Sequence, residues 1–187
     1  MKRIKEIIEE DISVKKELLK SQTANIKKAA EMIISSVKKG GKVLLCGNGG
    51  SAADCQHIAA ELVGRFKKER KAIPAIALTT DTSILTAIGN DYGYDVTFKR
   101  QVEALGNKND VLIGISTSGN SKNVLEAVEL ANKIGMATIG LTGEGGGKLS
   151  RIAKLAINVP SKNTPRMQES HIVIAHIICE LVEDACL

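Results

Sequence analysis

Hydrophobic side chains recur along this chain with two different periods, and the change falls at Gly40-Gly41. Over residues 3–39 the apolar positions, among them Ile4, Ile8, Ile12, Leu19, Ile26, Ile33 and Val37, stand mostly three, four or seven apart. That spacing lines one face of a helix and predicts one or two amphipathic helices, bent or broken near Ser21-Gln22-Thr23. Gly40-Gly41 then ends the segment, as glycine after a helix commonly does.

From residue 43 onward apolar residues come in short unbroken runs, at 43–46, 75–78, 111–115, 137–141 and 155–159. Runs without polar alternation suit strands covered on both faces. Between them, residues 51–66, 83–88, 122–134 and 148–153 read as helices, and 166–186 closes the chain with helical spacing. Alternating strand and helix predicts an α/β fold, a three-layer arrangement of a parallel five-stranded sheet flanked by helices. The expected organisation is an N-terminal helical extension, 1–39, and one domain, 40–187.

Composition narrows the function classes. Apolar residues make up 43% and charged residues 25% of the 187, as in an ordinary globular protein. No apolar stretch reaches the length of a membrane span. The N-terminus is charged throughout and lacks the apolar core of a signal peptide, so a cytoplasmic location is expected. The net charge of +5 is spread among acids, and aromatic residues are only 2%, too few for the stacking platforms of a single-strand nucleic-acid groove. Cys46, Cys55, Cys179 and Cys186 form no CxxC pair and read as reduced thiols, mostly buried.

Two strand-to-helix turns carry the chemistry. After the first run comes Gly47-Asn48-Gly49-Gly50-Ser51; after the third comes Ser116-Thr117-Ser118-Gly119-Asn120-Ser121. Glycines let backbone amides approach a ligand, hydroxyls add donors, and a helix start adds partial positive charge. The second turn holds more polar groups than N-capping needs and reads as a site for phosphate or another small oxyanion. The first reads equally as an anion site or as a capping turn. Neither is a GxxxxGK[ST] or a GxGxxG, so nucleotide hydrolysis is not supported.

The chain has three histidines. His57 and Glu61 are four apart and share a helix face; Gln168 and His176 are two turns apart in the last segment. His171, among aliphatic neighbours, reads as a core group. Glu61 lies between apolar residues, and desolvation there would bring it toward what a general base needs.

In order along the chain stand Gly47-Asn48-Gly49-Gly50-Ser51, His57-Ile58-Ala59-Ala60-Glu61-Leu62, Asn90-Asp91-Tyr92-Gly93, the serine turn, and Arg166-Met167-Gln168-Glu169 with His171 and His176. This series resembles the phosphoheptose isomerases of the sugar isomerase (SIS) domain superfamily, over essentially the whole chain. The resemblance implies a flavodoxin-like SIS fold and a cytoplasmic homotetramer with active sites at subunit interfaces. It implies conversion of sedoheptulose 7-phosphate to D-glycero-D-manno-heptose 7-phosphate, the first step toward nucleotide-activated heptoses of bacterial surface polysaccharides. It further implies one zinc ion per subunit on His57, Glu61, Gln168 and His176, with Glu61 and His176 as the catalytic pair. Substrate contacts would come from Asn48, Gly49, Gly50, Ser51, Glu61, Asn90, Asp91, Ser116, Thr117, Ser118, Ser121 and Gln168, the serine turn holding the phosphate. The same superfamily contains non-catalytic members that bind a replication initiator, and regulatory sugar-phosphate sensors. Glu61 and His176 speak against the first, and the lack of a basic recognition helix against the second.

Overall fold

The computed structural model describes residues 1–186; Leu187, the last residue of the expected domain, lies outside them. The chain opens with α1 (Lys2–Lys38), then β1 (Val43–Gly47), α2 (Gly50–Val63), β2 (Ala75–Ala77) and α3 (Thr82–Tyr92). A single 3₁₀ turn, Tyr94–Val96, leads into α4 (Thr97–Leu105). β3 (Val111–Ile115), α5 (Lys122–Lys133), β4 (Ala137–Thr142), α6 (Leu149–Ile152), β5 (Leu155–Asn158) and α7 (Thr164–Ala185) complete the described residues. The order alternates as the hydrophobic runs predict, and each expected strand is found.

Two local expectations are corrected. α1 runs through Ser21-Gln22-Thr23 without interruption. The Ser21 hydroxyl donates to the Glu17 carbonyl (2.8 Å) and that of Thr23 to Leu19, so both turn back onto the helix; no glycine or proline is present to break it. α4 was not foreseen as a helix, although Phe98, Val102 and Leu105 keep helical spacing; Phe98 and Val102 are buried.

All strand pairs are parallel, and the order is β2-β1-β3-β4-β5, the flavodoxin-like order. β1 and β3 are buried throughout and β4 nearly so, whereas the edge strands β2 and β5 are buried only in part. Unbroken apolar runs therefore mark two-sided burial only inside the sheet. On one face, Val43, Leu45, Ile113 and Ile139 pack against α1, α2 and α7; on the other, Leu44, Cys46 and Leu112 pack against α4, α5 and α6.

Along α1 the apolar face divides. Ile26, Ala29, Ala30 and Ile33 lie in the same core as the sheet. Toward the N-terminus, Ile4, Ile8, Ile12 and Leu19 are exposed, and α7 is tied there by Arg166 Nη1, which donates to the Ile7 carbonyl (3.0 Å). No helix among the described residues is long and apolar enough to cross a membrane.

Candidate active site

In the order β2-β1-β3, the connections leaving β1 and β3 depart toward opposite faces of the sheet, and a crevice opens between the carboxyl ends of these neighbours. Both polar turns sit at that crevice. Asn48 and Asn123 bridge them with two reciprocal amide hydrogen bonds (2.9 Å each), and the Tyr94 hydroxyl donates to Asn48 Oδ1 (3.0 Å). Asn123 and Tyr94 were not singled out from the sequence; Asn123, two residues after Ser121, was the more legible.

In the second turn three hydroxyls converge. Ser116 Oγ lies 2.9 Å from Ser121 Oγ and 3.5 Å from Ser118 Oγ. Gly119 makes the turn possible: its φ is 65°, and a Cβ there would stand 2.1 Å from the Gly146 carbonyl oxygen. The Ser121 side chain makes no capping bond to α5, and the only first-turn amide met by a side chain among the described residues is that of Val124, which donates to Asn123 Oδ1 (3.0 Å), so the positive end of the helix dipole lies at this turn. Thr117 contributes through its backbone, its carbonyl accepting the Gly143 N–H (3.0 Å). Thr117 and Ser118 line a cavity of about 280 Å³ with Glu144, Ser161, Lys162, Thr164 and Met167, a wall the sequence did not reveal.

In the first turn Gly49 caps α2 with φ 57°, and Ser51 is buried. Gly50 lies under Gln168: a Cβ at Gly50 would stand 2.6 Å from Gln168 Nε2. Asn90 and Asp91 are exposed at the end of α3 and hydrogen-bond to each other (2.8 Å).

α2 and α7 run side by side in one direction, with Gly50 facing Gln168 at one end and His57 facing His176 further on. At that second end, His57 Nε2 is 3.1 Å from Glu61 Oε1 and 3.3 Å from His176 Nε2. The three ligand atoms lie within 4.8 Å of one another. Around a tetrahedral zinc with bonds of about 2.0–2.1 Å, neighbouring donors stand about 3.3 Å apart, so these separations fit. Two imidazole nitrogens and a carboxylate gathered this closely also require a proton or a cation between them. The set is open: the side chains of His57 and Glu61 are 47% and 24% exposed. Gln168, within this chain, stands apart from the other three, about 12 Å back along the helix axis from His176.

Asp54, one turn before His57, was also missed. Its Oδ2 is buried with no partner among the described residues, and burial raises its pKa against the pull of His57. His171 is a core histidine, as the sequence suggested: it is 1% exposed, its Nε2 is 3.0 Å from the Thr142 carbonyl, and burial lowers its pKa. Arg166 and Glu169 serve structure, forming a bidentate pair (2.6 Å each) at the start of α7.

The family model for the SIS domain matches residues 8–143. A phosphoheptose isomerase from Campylobacter jejuni is 58% identical over 173 residues, 92% of this chain and 91% of that protein. The chain belongs to the phosphoheptose isomerases. One from Aquifex aeolicus is 55% identical over 184 residues, 98% of this chain and 96% of that protein. A solved phosphoheptose isomerase structure from Neisseria gonorrhoeae superposes with a TM-score of 0.93 at 47% identity, covering 98% of each chain. Membership makes the protein an isomerase of SIS fold.

Proposed function

We propose that the protein interconverts sedoheptulose 7-phosphate and D-glycero-D-manno-heptose 7-phosphate by proton transfer through an enediol, feeding the making of activated heptoses. The observation that carries the chemistry is the contact of a carboxylate, Glu61, and a second-helix imidazole, His176, with the same His57 nitrogen. Moving a carbonyl from C2 to C1 requires a base that takes the C1 proton and returns one to C2. It also requires an acid that protonates O2 and then accepts the O1 proton. Glu61 takes the first role and His176 the second.

The phosphate is held by Ser116, Ser118 and Ser121 at the start of α5, with Thr117 shaping the turn. Gly49, Gly50 and Ser51, with Asn48, Asn90, Asp91 and Gln168, line the sugar. Anchoring the far end lets remote binding energy place C1 and C2 against the acid and base.

His57, Glu61 and His176 hold one zinc ion per subunit, and Gln168 joins them only if α7 or a neighbouring chain brings it closer. When bound, the ion supplies a Lewis acid for the substrate oxygens. The working unit is a cytoplasmic homotetramer with active sites at subunit interfaces. Two features support assembly. The His57 and Glu61 side chains are partly exposed, and an apolar groove of about 570 Å³ lies between α1 and α7, lined by Leu18, Leu19, Ile26, Val173, Ile177 and Leu181.

Proton NMR of the purified protein with sedoheptulose 7-phosphate in deuterated water tests the reading. Appearance of the aldose anomeric signals, with deuterium entering at C2, is expected, and chelation should suppress both. A protein that binds the sugar phosphate and leaves it unchanged would belong with the binding modules instead.

A further inference from the structure

Beyond the cluster itself, the segment that follows α2 is locked onto α7 by a buried ion pair. Arg70 Nε and Glu183 Oε1 are 3.3 Å apart, and the two side chains are 1% and 2% exposed. The guanidinium donates to three carbonyls at the end of α2 and to that of Lys71, its own neighbour. Nη2 donates to Glu61 O (2.8 Å), and Nη1 to Leu62 O (2.7 Å), Gly64 O and Lys71 O (3.1 Å each). A helix leaves its last carbonyls unpaired and negatively polarised, and a planar cation that spans several of them is a strong cap. Two of the carbonyls held are those of Glu61 itself and of Leu62, its neighbour in the last turn.

The carboxylate partner works on the other side. Glu183 accepts the N–H groups of Phe66, Lys67 and Lys68 at 2.9, 2.7 and 2.9 Å. Burial alone would raise its pKa; the three amides and Arg70 outweigh that and leave it below the usual range. Three consecutive amides on one carboxylate fix the backbone of Phe66, whose ring lies 5.4 Å from the His176 ring. Exposed ties between the same segments, such as Lys68 to Asp184 at 2.8 Å, are of the kind that contribute little.

We propose that Arg70 and Glu183 are positioning residues for the acid–base cluster. Arg70 keeps the last turn of α2 from fraying and so sets Glu61; Glu183 sets Phe66 and, through its ring, the imidazole of His176. One buried pair thereby couples the carboxylate on α2 to the histidine on α7. The proposal rests on the isomerase reading for its kinetic arm only.

The test compares Arg70→Lys, which keeps the charge and loses the fork, and Glu183→Gln with the wild type and with Asp184→Asn. Two readouts are taken: steady-state isomerisation, and zinc affinity by competition with a chromophoric chelator. Losses of about 10- to 100-fold in kcat and in zinc affinity are expected for the pair variants, as for other residues that orient ligands. KM should stay within about threefold, since the serine turn is untouched. Asp184→Asn should match the wild type in both. If folded pair variants keep kcat and zinc affinity within about twofold of wild type while only their melting temperature falls, the pair is merely structural and the proposal is overturned. A loss confined to KM overturns it too. Should the pair variants fail to fold, as judged by circular dichroism, Phe66→Leu decides. It leaves the backbone bonds to Glu183 in place, and a kcat and zinc affinity equal to wild type would sink the route to His176. A wild type that does not isomerise the heptulose would defeat the functional reading and leave the zinc measurement to judge the pair.

Discussion

The serine turn and the histidine cluster solve opposite problems. The turn is finished within one strand–helix connection: Ser116 is buried, its hydroxyl meets those of Ser118 and Ser121, and Gly119 supplies the left-handed corner. Its donors stand oriented before any ligand arrives. The cluster is assembled from two helices far apart in the chain, and it depends on α7 being laid correctly along α2. His57 and His176 meet across 119 positions. Groups placed by local chain geometry tolerate distant change; groups placed by helix packing do not. Affinity and turnover should therefore respond to different substitutions.

The largest expected effect lies in the cluster. Glu61→Gln keeps the shape and loses the base, and His176→Asn loses the imidazole; each should lower kcat by about 10²–10⁴-fold while sugar-phosphate affinity persists. The double variant should lose less than the product of the singles, because the pair acts as a unit. Steady-state rates with a direct binding measurement check both, and wild-type turnover in either single variant would remove it from the acid–base pair.

Next in size is the turn. Ser116→Ala with Ser118→Ala should raise KM roughly 10- to 100-fold with little change in kcat, since charge-assisted hydrogen bonds to phosphate are lost equally in ground and transition states. The melting temperature should move little. If kcat falls with KM unchanged, the division of labour between turn and cluster is wrong.

The smallest effect separates the two histidines of α7. His176 faces the cluster, whereas His171 is buried against Thr142 and holds α7 to the end of β4. Burial lowers the folded pKa of His171 below the ordinary histidine value of 6.5, so between the two values the unfolded chain binds more protons. Its contribution is complete above 6.5 and is lost as pH falls through the folded value. Chemical denaturation from pH 7.5 to 5 should show this decline, and His171→Gln should be less stable at neutral pH with a shallower slope. Equal slopes would mean that other groups carry the acid sensitivity.

Much of this molecule was legible from residue order alone. The five strands are short apolar runs, and their interior or edge place only modulates burial. The serine turn was legible because all its donors lie within six residues. His57 and Glu61 were legible as a pair because four residues is one helical turn. Other features had no local signal. The continuity of α1 depended on two hydroxyls turning back onto their own helix. Tyr94, whose hydroxyl reaches Asn48 from beyond α3, sits outside any repeated spacing. Gln168 and His176 share a helix side, yet the fold puts one over Gly50 and the other beside His57.

Sequence by itself marked the five strands, most of the helices and a turn crowded with hydroxyls, because periodic burial and turn chemistry are properties of neighbours in the chain. Only the tertiary structure decided that a carboxylate on α2 meets an imidazole on α7, that Arg70 and Glu183 lock the segment between them, and how much of the α1 stripe the chain covers for itself. Those contacts depend on helix register and on the depth to which each side chain is buried, and both are set only when the sheet and its two helical layers close together.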